Sequence, residues 1–230
     1  MGTIARNLQG VMSRIRRACE LAGREPRDIV LVAVSKTFPA DDIRAAHAAG
    51  QRDFGESYVQ EALAKMDALA GLELTWHFIG PIQSNKTRDI AARFHWVHSI
   101  DRLKVAERLA AQRPAGRAPL QALIQVNVSG EATKSGVAPD ALAPLAHAVA
   151  ALPNLRLRGL MAIPEPTEDM ALARARFESV RALKERLCAE GLALDTLSMG
   201  MTADLEAAIA AGATMVRVGT AIFGERRTTQ

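Results

Sequence analysis

A lysine closes the apolar run Ile29-Val30-Leu31-Val32-Ala33-Val34-Ser35-Lys36, and Pro39, Asp41 and Asp42 mark a helix start just beyond it. An apolar, β-branched run bounded by proline reads as a buried parallel strand. The carboxyl end of such a strand is where α/β folds gather their ligands. An amine held there and partly desolvated has a lowered pKa and becomes a nucleophile toward carbonyls. A solvated lysine capping a strand fits the same segment, so the other polar residues must decide.

Two glycine-containing turns bear on that choice. Leu197-Ser198-Met199-Gly200-Met201-Thr202 ends one apolar run, with Thr202 expected as the N-cap of the next helix, and Val218-Gly219-Thr220 ends another. Amides at such strand ends, with the Ser198 and Thr220 hydroxyls, suit a phosphate dianion. Glycines that merely close turns are the plainer account. Between them stands Arg217. Residues of a strand alternate faces, so Val216 and Val218 share one face, and Met215, Arg217 and Gly219 the other. With the valines toward the helices, Arg217 points into the sheet's interior and needs an acceptor, because an unpaired buried charge is very costly. Glu56 is the expected protein partner; a ligand atom beside the phosphate is the functional one. An amine, a phosphate cup and an inward guanidinium together describe a pyridoxal 5′-phosphate site. The lysine forms a Schiff base, and the arginine donates to the pyridine nitrogen and weakens the ring as an electron sink.

Something must carry these residues to one place. Strand-like runs are expected near 29–36, 53–57, 75–81, 96–100, 121–128, 156–163, 194–200 and 214–220. Helical patterns fall near 4–22, 40–49, 58–70, 85–94, 102–113, 139–151, 168–190 and 203–211. Eight alternations argue a parallel sheet closed into a (β/α)8 TIM barrel, with residues 1–230 as a single domain. A doubly wound sheet is the weaker alternative, since no G-x-G-x-x-G follows the first strand. Gly50 and Gly212 each end a helix just before a strand, the place of a left-handed closing residue. Seven residues follow Phe223, too few for a full last helix, so the amphipathic stretch Ile4, Leu8, Val11, Met12, Ile15 is expected to cover that gap in the outer wall.

Composition narrows the classes. Net charge is +4, but acids and bases are interspersed, which argues against a nucleic-acid stripe. No apolar run has the length of a membrane span. Two cysteines, Cys19 and Cys188, make neither a disulfide framework nor a metal spacing, and buried free thiols of a cytoplasmic protein are expected.

The motifs taken together resemble the pyridoxal phosphate homeostasis protein family, barrels related to the fold-type III alanine racemases. The matching stretches are VAVSKTFP at Lys36, DFGESYVQE at Glu56, WHFIGPIQSNK from His77 to Lys86, LIQVNVSGEATKSG at Asn127, RGLMAIP at Met161, LSMGM at Gly200 and MVRVGTAIFGER at Arg217. The resemblance implies that Lys36 carries the cofactor and Arg217 faces its ring nitrogen. It places phosphate contacts on Ser198, Gly200, Met201, Gly219 and Thr220. Ser57, His77, Asn127 and Met161 are further candidate contacts, although His77 and His98 also fit as satisfied core histidines. Two departures stand out. Ser57 replaces the asparagine of the family's Gly-Glu-Asn, and Phe38 stands where some members have a second lysine.

The resemblance implies a non-catalytic carrier that holds pyridoxal phosphate on Lys36, buffers it and passes it to apoenzymes. Lys134, in the loop after the fifth strand at the same barrel end as Lys36, reads as a solvated loop lysine, with acceptance of the aldehyde during hand-off as the alternative. The resemblance further implies a monomer. An amino-acid racemase is the alternative. It needs a second acid/base opposite Lys36, which related racemases take from a tyrosine supplied across a dimer by a second domain. Tyr58, the sole tyrosine, starts a helix. A Schiff-base aldolase and a cofactor-free interaction module complete the set.

Overall fold

In the computed structural model, which describes residues 2–128 and 135–225, the eight apolar runs become strands in the expected order. They are β1 (Val30–Val34), β2 (Asp53–Glu56), β3 (Thr75–Phe78), β4 (Trp96–Ile100), β5 (Leu120–Gln125), β6 (Leu155–Met161), β7 (Thr196–Ser198) and β8 (Met215–Val218). Every neighbouring pair is parallel, and β8 returns to β1 with Arg217 opposite Val32, closing the barrel. Parallel strands buried on both faces are largely apolar, and Val32, Ala33, Val216 and Val218 are fully buried.

The helices are α1 (Thr3–Leu21), α2 (Ala40–Ala48), α3 (Val59–Ala68), α4 (Thr87–Arg93), α5 (Leu103–Gln112), α6 (Leu142–Ala150), α7 (Met170–Ala189), α8 (Leu205–Ala210) and α9 (Thr220–Phe223). Gly50 and Gly212 take positive φ of 102° and 103° at the ends of α2 and α8, as their positions require. With α9 a single turn, α1 covers the wall beside β8. Its buried face of Leu8, Val11, Ile15, Ala18 and Cys19 packs against α2, α8 and α9. Burying each of Leu8, Val11 and Ile15 stabilises by about 1.5–3 kcal/mol, so packing rather than helix propensity holds α1 in place.

The strands are shorter than expected at their carboxyl ends. β1 stops at Val34, two residues before Lys36, and β5 stops at Gln125. The apolar pattern runs on because the loops above the barrel are themselves buried. Thr202 is not an N-cap: Asp204 holds that position, and α8 starts at Leu205. Cys19 is buried as expected, whereas Cys188 is only partly so.

Candidate active site at the carboxyl end of the barrel

A cavity of about 330 Å³ opens above the carboxyl ends of β1, β2, β7 and β8. Lys36, Ser57, Met201, Arg217, Gly219 and Thr220 all line it. So do Val34, Phe38, Ile79 and Ile163, which give it apolar walls. Phe38 stacks on Phe223 with ring centroids 5.2 Å apart, closing one side.

Lys36 stands in the turn after β1, and an ion pair from the neighbouring helix fixes the backbone around it. The Lys65 ammonium donates to the Ser35 carbonyl at 2.8 Å. Glu61, which pairs with Lys65, accepts the Thr37 amide at 2.6 Å. Thr37 holds a φ of 71°, a conformation that non-glycine residues adopt only when their surroundings enforce it. One residue on each side of Lys36 is therefore bound to a single α3 ion pair.

Glu56 is the other anchor of this cluster, and here the expectation from sequence is corrected. It does not pair with Arg217. Its Oε1 accepts from Lys65 at 2.8 Å and from the Ser35 hydroxyl at 2.7 Å. Burial pushes the Glu56 carboxyl up, against the pull of Lys65. β2 turns Glu56 toward α3 because Gly55 and Glu56 face opposite sides of the sheet.

Arg217 points inward, as the alternation along β8 requires. Its Nη1 donates to the Ser198 hydroxyl at 2.7 Å and its Nη2 to the Ala162 carbonyl at 3.0 Å. Burial lowers its pKa to about 10 despite the attraction of Asp204, so it remains a cation at neutral pH. Both of these acceptors are neutral.

Ser198 is thereby placed differently from the phosphate cup expected of it. Its hydroxyl lies inside the barrel, between Arg217 and the His98 ring. Gly200 does not line the cavity either. It has a φ of 92°, and a Cβ there would stand 2.5 Å from the Cβ of Ala208; close packing of the turn on α8, rather than ligand approach, explains the glycine. The Met201 amide donates to Asp204 Oδ1 at 2.6 Å. Thr202, Ala203, Gly219 and Thr220 are the residues of the two turns that face the cavity together with Met201. Arg14 of α1 fastens the first of these turns, donating to the Thr202 carbonyl at 2.8 Å and forking onto Glu206. Asn7 fastens the second through the Ile222 carbonyl at 3.0 Å.

Three further candidates do not reach the cavity. His77 is fully buried among interior side chains. Met161 is buried at the end of β6. Asn127 lies beyond β5, its amide bound to the Val137 carbonyl at 2.9 Å. Lys134 lies outside the described residues. Tyr58 is half-exposed and lines an adjoining recess that Lys36 shares. Sequence reasoning missed Lys65, Glu61 and Arg14. A lysine four residues after a glutamate on a helix was the one available signal, and it reads as an ordinary surface pair.

Comparison with known proteins places the chain among relatives of similar sequence and fold. The family described as alanine racemase, N-terminal domain, matches residues 6–227. The pyridoxal phosphate homeostasis protein of Pseudomonas aeruginosa is 63% identical over 226 residues, covering 98% of this chain and 97% of that protein. Its namesake in Escherichia coli strain K12 is 52% identical over 233 residues, covering 98% of each. The structure of PipY from Synechococcus elongatus with PLP bound aligns with a TM-score of 0.85 at 39% identity, covering 96% of this chain and all of that one (100%). Alanine racemase from Corynebacterium glutamicum shares the fold, with a TM-score of 0.70 at 17% identity, and this chain spans 60% of its length.

Proposed function

This chain belongs to the pyridoxal phosphate homeostasis protein family, and on that footing we propose that it binds pyridoxal 5′-phosphate, holds it on Lys36 and releases it to other proteins without turning over a substrate of its own. The residues present fit the group. A cavity of about 330 Å³ lies at the small end of the range for ligand sites. It offers one amine, one buried guanidinium, and the hydroxyls of Ser57, Thr202 and Thr220.

When bound, the cofactor supplies an aldehyde that condenses with the Lys36 amine, forming a C=N bond and releasing the carbonyl oxygen as water. The α3 ion pair fixes the backbone that carries Lys36, so the amine approaches from one direction. The turns at Thr202–Ala203 and Gly219–Thr220 receive the phosphate. Arg217 would donate a hydrogen bond to the ring nitrogen, and with a pKa of about 10 it keeps its own proton rather than passing it to that nitrogen. Keeping that nitrogen unprotonated weakens the ring as an electron sink, which suits holding the cofactor better than deprotonating an amino acid.

The observation that carries this reading is the meeting of Lys36, Arg217 and both turns on one cavity. The racemase alternative keeps one specific support, the half-exposed Tyr58 beside Lys36. The carrier role is tested by mixing loaded protein with a pyridoxal-phosphate-free apoenzyme in the presence of a scavenger of free cofactor. Recovery of apoenzyme activity is expected. No recovery, while free cofactor without scavenger restores the apoenzyme, would remove the delivery role. A cytoplasmic monomer is the setting that fits this function.

A further inference from the structure

Beneath Arg217, polar side chains cross the barrel interior in an unbroken line. Ser198 Oγ lies 3.0 Å from His98 Nδ1. His98 Nε2 lies 3.0 Å from His77 Nδ1. His77 Nε2 lies 2.9 Å from Asp53 Oδ1. Ser198, His98 and His77 are buried, whereas the Asp53 side chain, at the amino end of β2, is 30% exposed. The line therefore runs from the floor of the cavity to the opposite end of the barrel.

Its protons can be placed by elimination. An arginine only donates, and an ionised carboxylate only accepts. His77 must donate from Nε2 to Asp53, which leaves its Nδ1 as an acceptor when the ring is neutral. His98 must then donate from Nε2 and accept at Nδ1, and Ser198 donates to it while accepting from Arg217. One arrangement serves all four bonds, and every bond points toward Asp53. Burial lowers the pKa of both rings, that of His98 well below the ordinary histidine value, which favours the neutral form of each. The other charged or titratable groups nearby are His95, Arg158 stacked on the Trp96 ring, and Asp204 near Arg217. Trp96 in turn stacks on His77 with centroids 5.6 Å apart, and the His77 and His98 rings meet edge to face at 77°.

We propose that Asp53, His77 and His98 are positioning residues which act through Ser198 on Arg217, so that a directed hydrogen-bond chain ending on a carboxylate fixes the guanidinium edge presented to the cofactor's ring nitrogen. Arg217 has no ion-pair partner among the described residues, and this chain ties it to an anion without placing a carboxylate beside the ligand. Hydrogen bonds aligned in one sense polarise one another, so Ser198 becomes a stronger acceptor for Arg217 than an isolated hydroxyl. The remaining N–H groups of Arg217 are then left for the cavity. The inference rests on the cavity being a pyridoxal phosphate site.

The test has two parts, both on the full chain. Histidine 15N NMR without added cofactor should show His77 and His98 as neutral Nε2–H tautomers at about pH 8, above the range in which a free imidazole is charged. An Nδ1–H tautomer or a charged ring at either position overturns the chain. In titrations with pyridoxal 5′-phosphate, Asp53→Ala should weaken binding about tenfold, the effect typical of residues that orient a ligating group. Asp53→Asn should lie between Asp53→Ala and wild type. In an Arg217→Met background the Asp53→Ala effect should vanish. An equal loss in both backgrounds would show that Asp53 does not act through Arg217. If wild type takes up no cofactor, the site reading itself fails. If wild type binds and the Asp53 variants bind as tightly, only the role of the chain fails.

Discussion

Lys65 serves Ser35, Glu56 and Glu61 with one buried ammonium. Removing it leaves Glu56 buried without its charge partner, a change that costs about 3–5 kcal/mol. Lys65→Met should therefore lower the melting temperature by roughly 6–12 °C even at the lower end of that range. Lys65→Met combined with Glu56→Gln should recover part of the loss, because no unpaired charge remains. Equal melting of wild type and Lys65→Met would contradict the anchoring role. The histidines make a second prediction at this scale. Burial lowers the pKa of His77, His95 and His98 below 6.5 in the fold. Below about 6.5 the unfolded chain binds protons that the folded chain refuses. Stability should then be flat above that pH and fall beneath it. Glu56, raised by burial from 4.5, favours the folded state at low pH and opposes this slope, so Glu56→Gln should steepen the fall. Denaturant melts from about pH 8 to about pH 5 read the effect, and an unchanged midpoint would contradict buried neutral rings. Lys36 and Arg217 were legible in the sequence because strand period and position decide where they point. The partners of Arg217 were not. Glu56 sits at a strand end like Arg217, and only the fold reveals that Lys65 from the next helix reaches it first.

The helix α1 acts on the site without touching a ligand. Arg14 ties it to the turn after β7, and Asn7 ties it to the turn after β8. The Arg14–Glu206 pair is about two-fifths exposed, with side-chain exposures of 37% and 44%, so its worth is about 0.5–1 kcal/mol. If that energy holds the turn in its binding form, Arg14→Ala should raise the cofactor dissociation constant roughly two- to fivefold. The covalent link to Lys36 should still form. Unchanged affinity would mean that the turn is held by its own packing. That α1 covers the gap beside β8 could be read from its apolar spacing. Its grip on the two turns could not, because Arg14 and Asn7 lie on the polar side of that pattern and nothing in sequence says what they meet. Loop positions were similarly opaque. Gly200 reads as a ligand glycine by residue type, but the crowding by Ala208 that explains it is a tertiary fact.

On the scale of the molecule, the closed barrel followed from eight alternations, and its site from the rule that barrel ligands gather at strand carboxyl ends. The same scale bears on racemisation, which needs acid/base groups on both faces of the substrate carbon. Chiral analysis of L-alanine incubated with loaded protein should show no D-alanine above a Lys36→Ala control, and turnover lost on Tyr58→Phe would revive the racemase. The central claim is tested most directly by the absorbance spectrum of purified protein given pyridoxal 5′-phosphate, recorded before and after borohydride reduction, with the adduct located by peptide mass. The account predicts a band near the visible edge that reduction abolishes, leaving the cofactor fixed on Lys36 and no adduct in Lys36→Ala. No chromophore, or an adduct on another lysine alone, would contradict it.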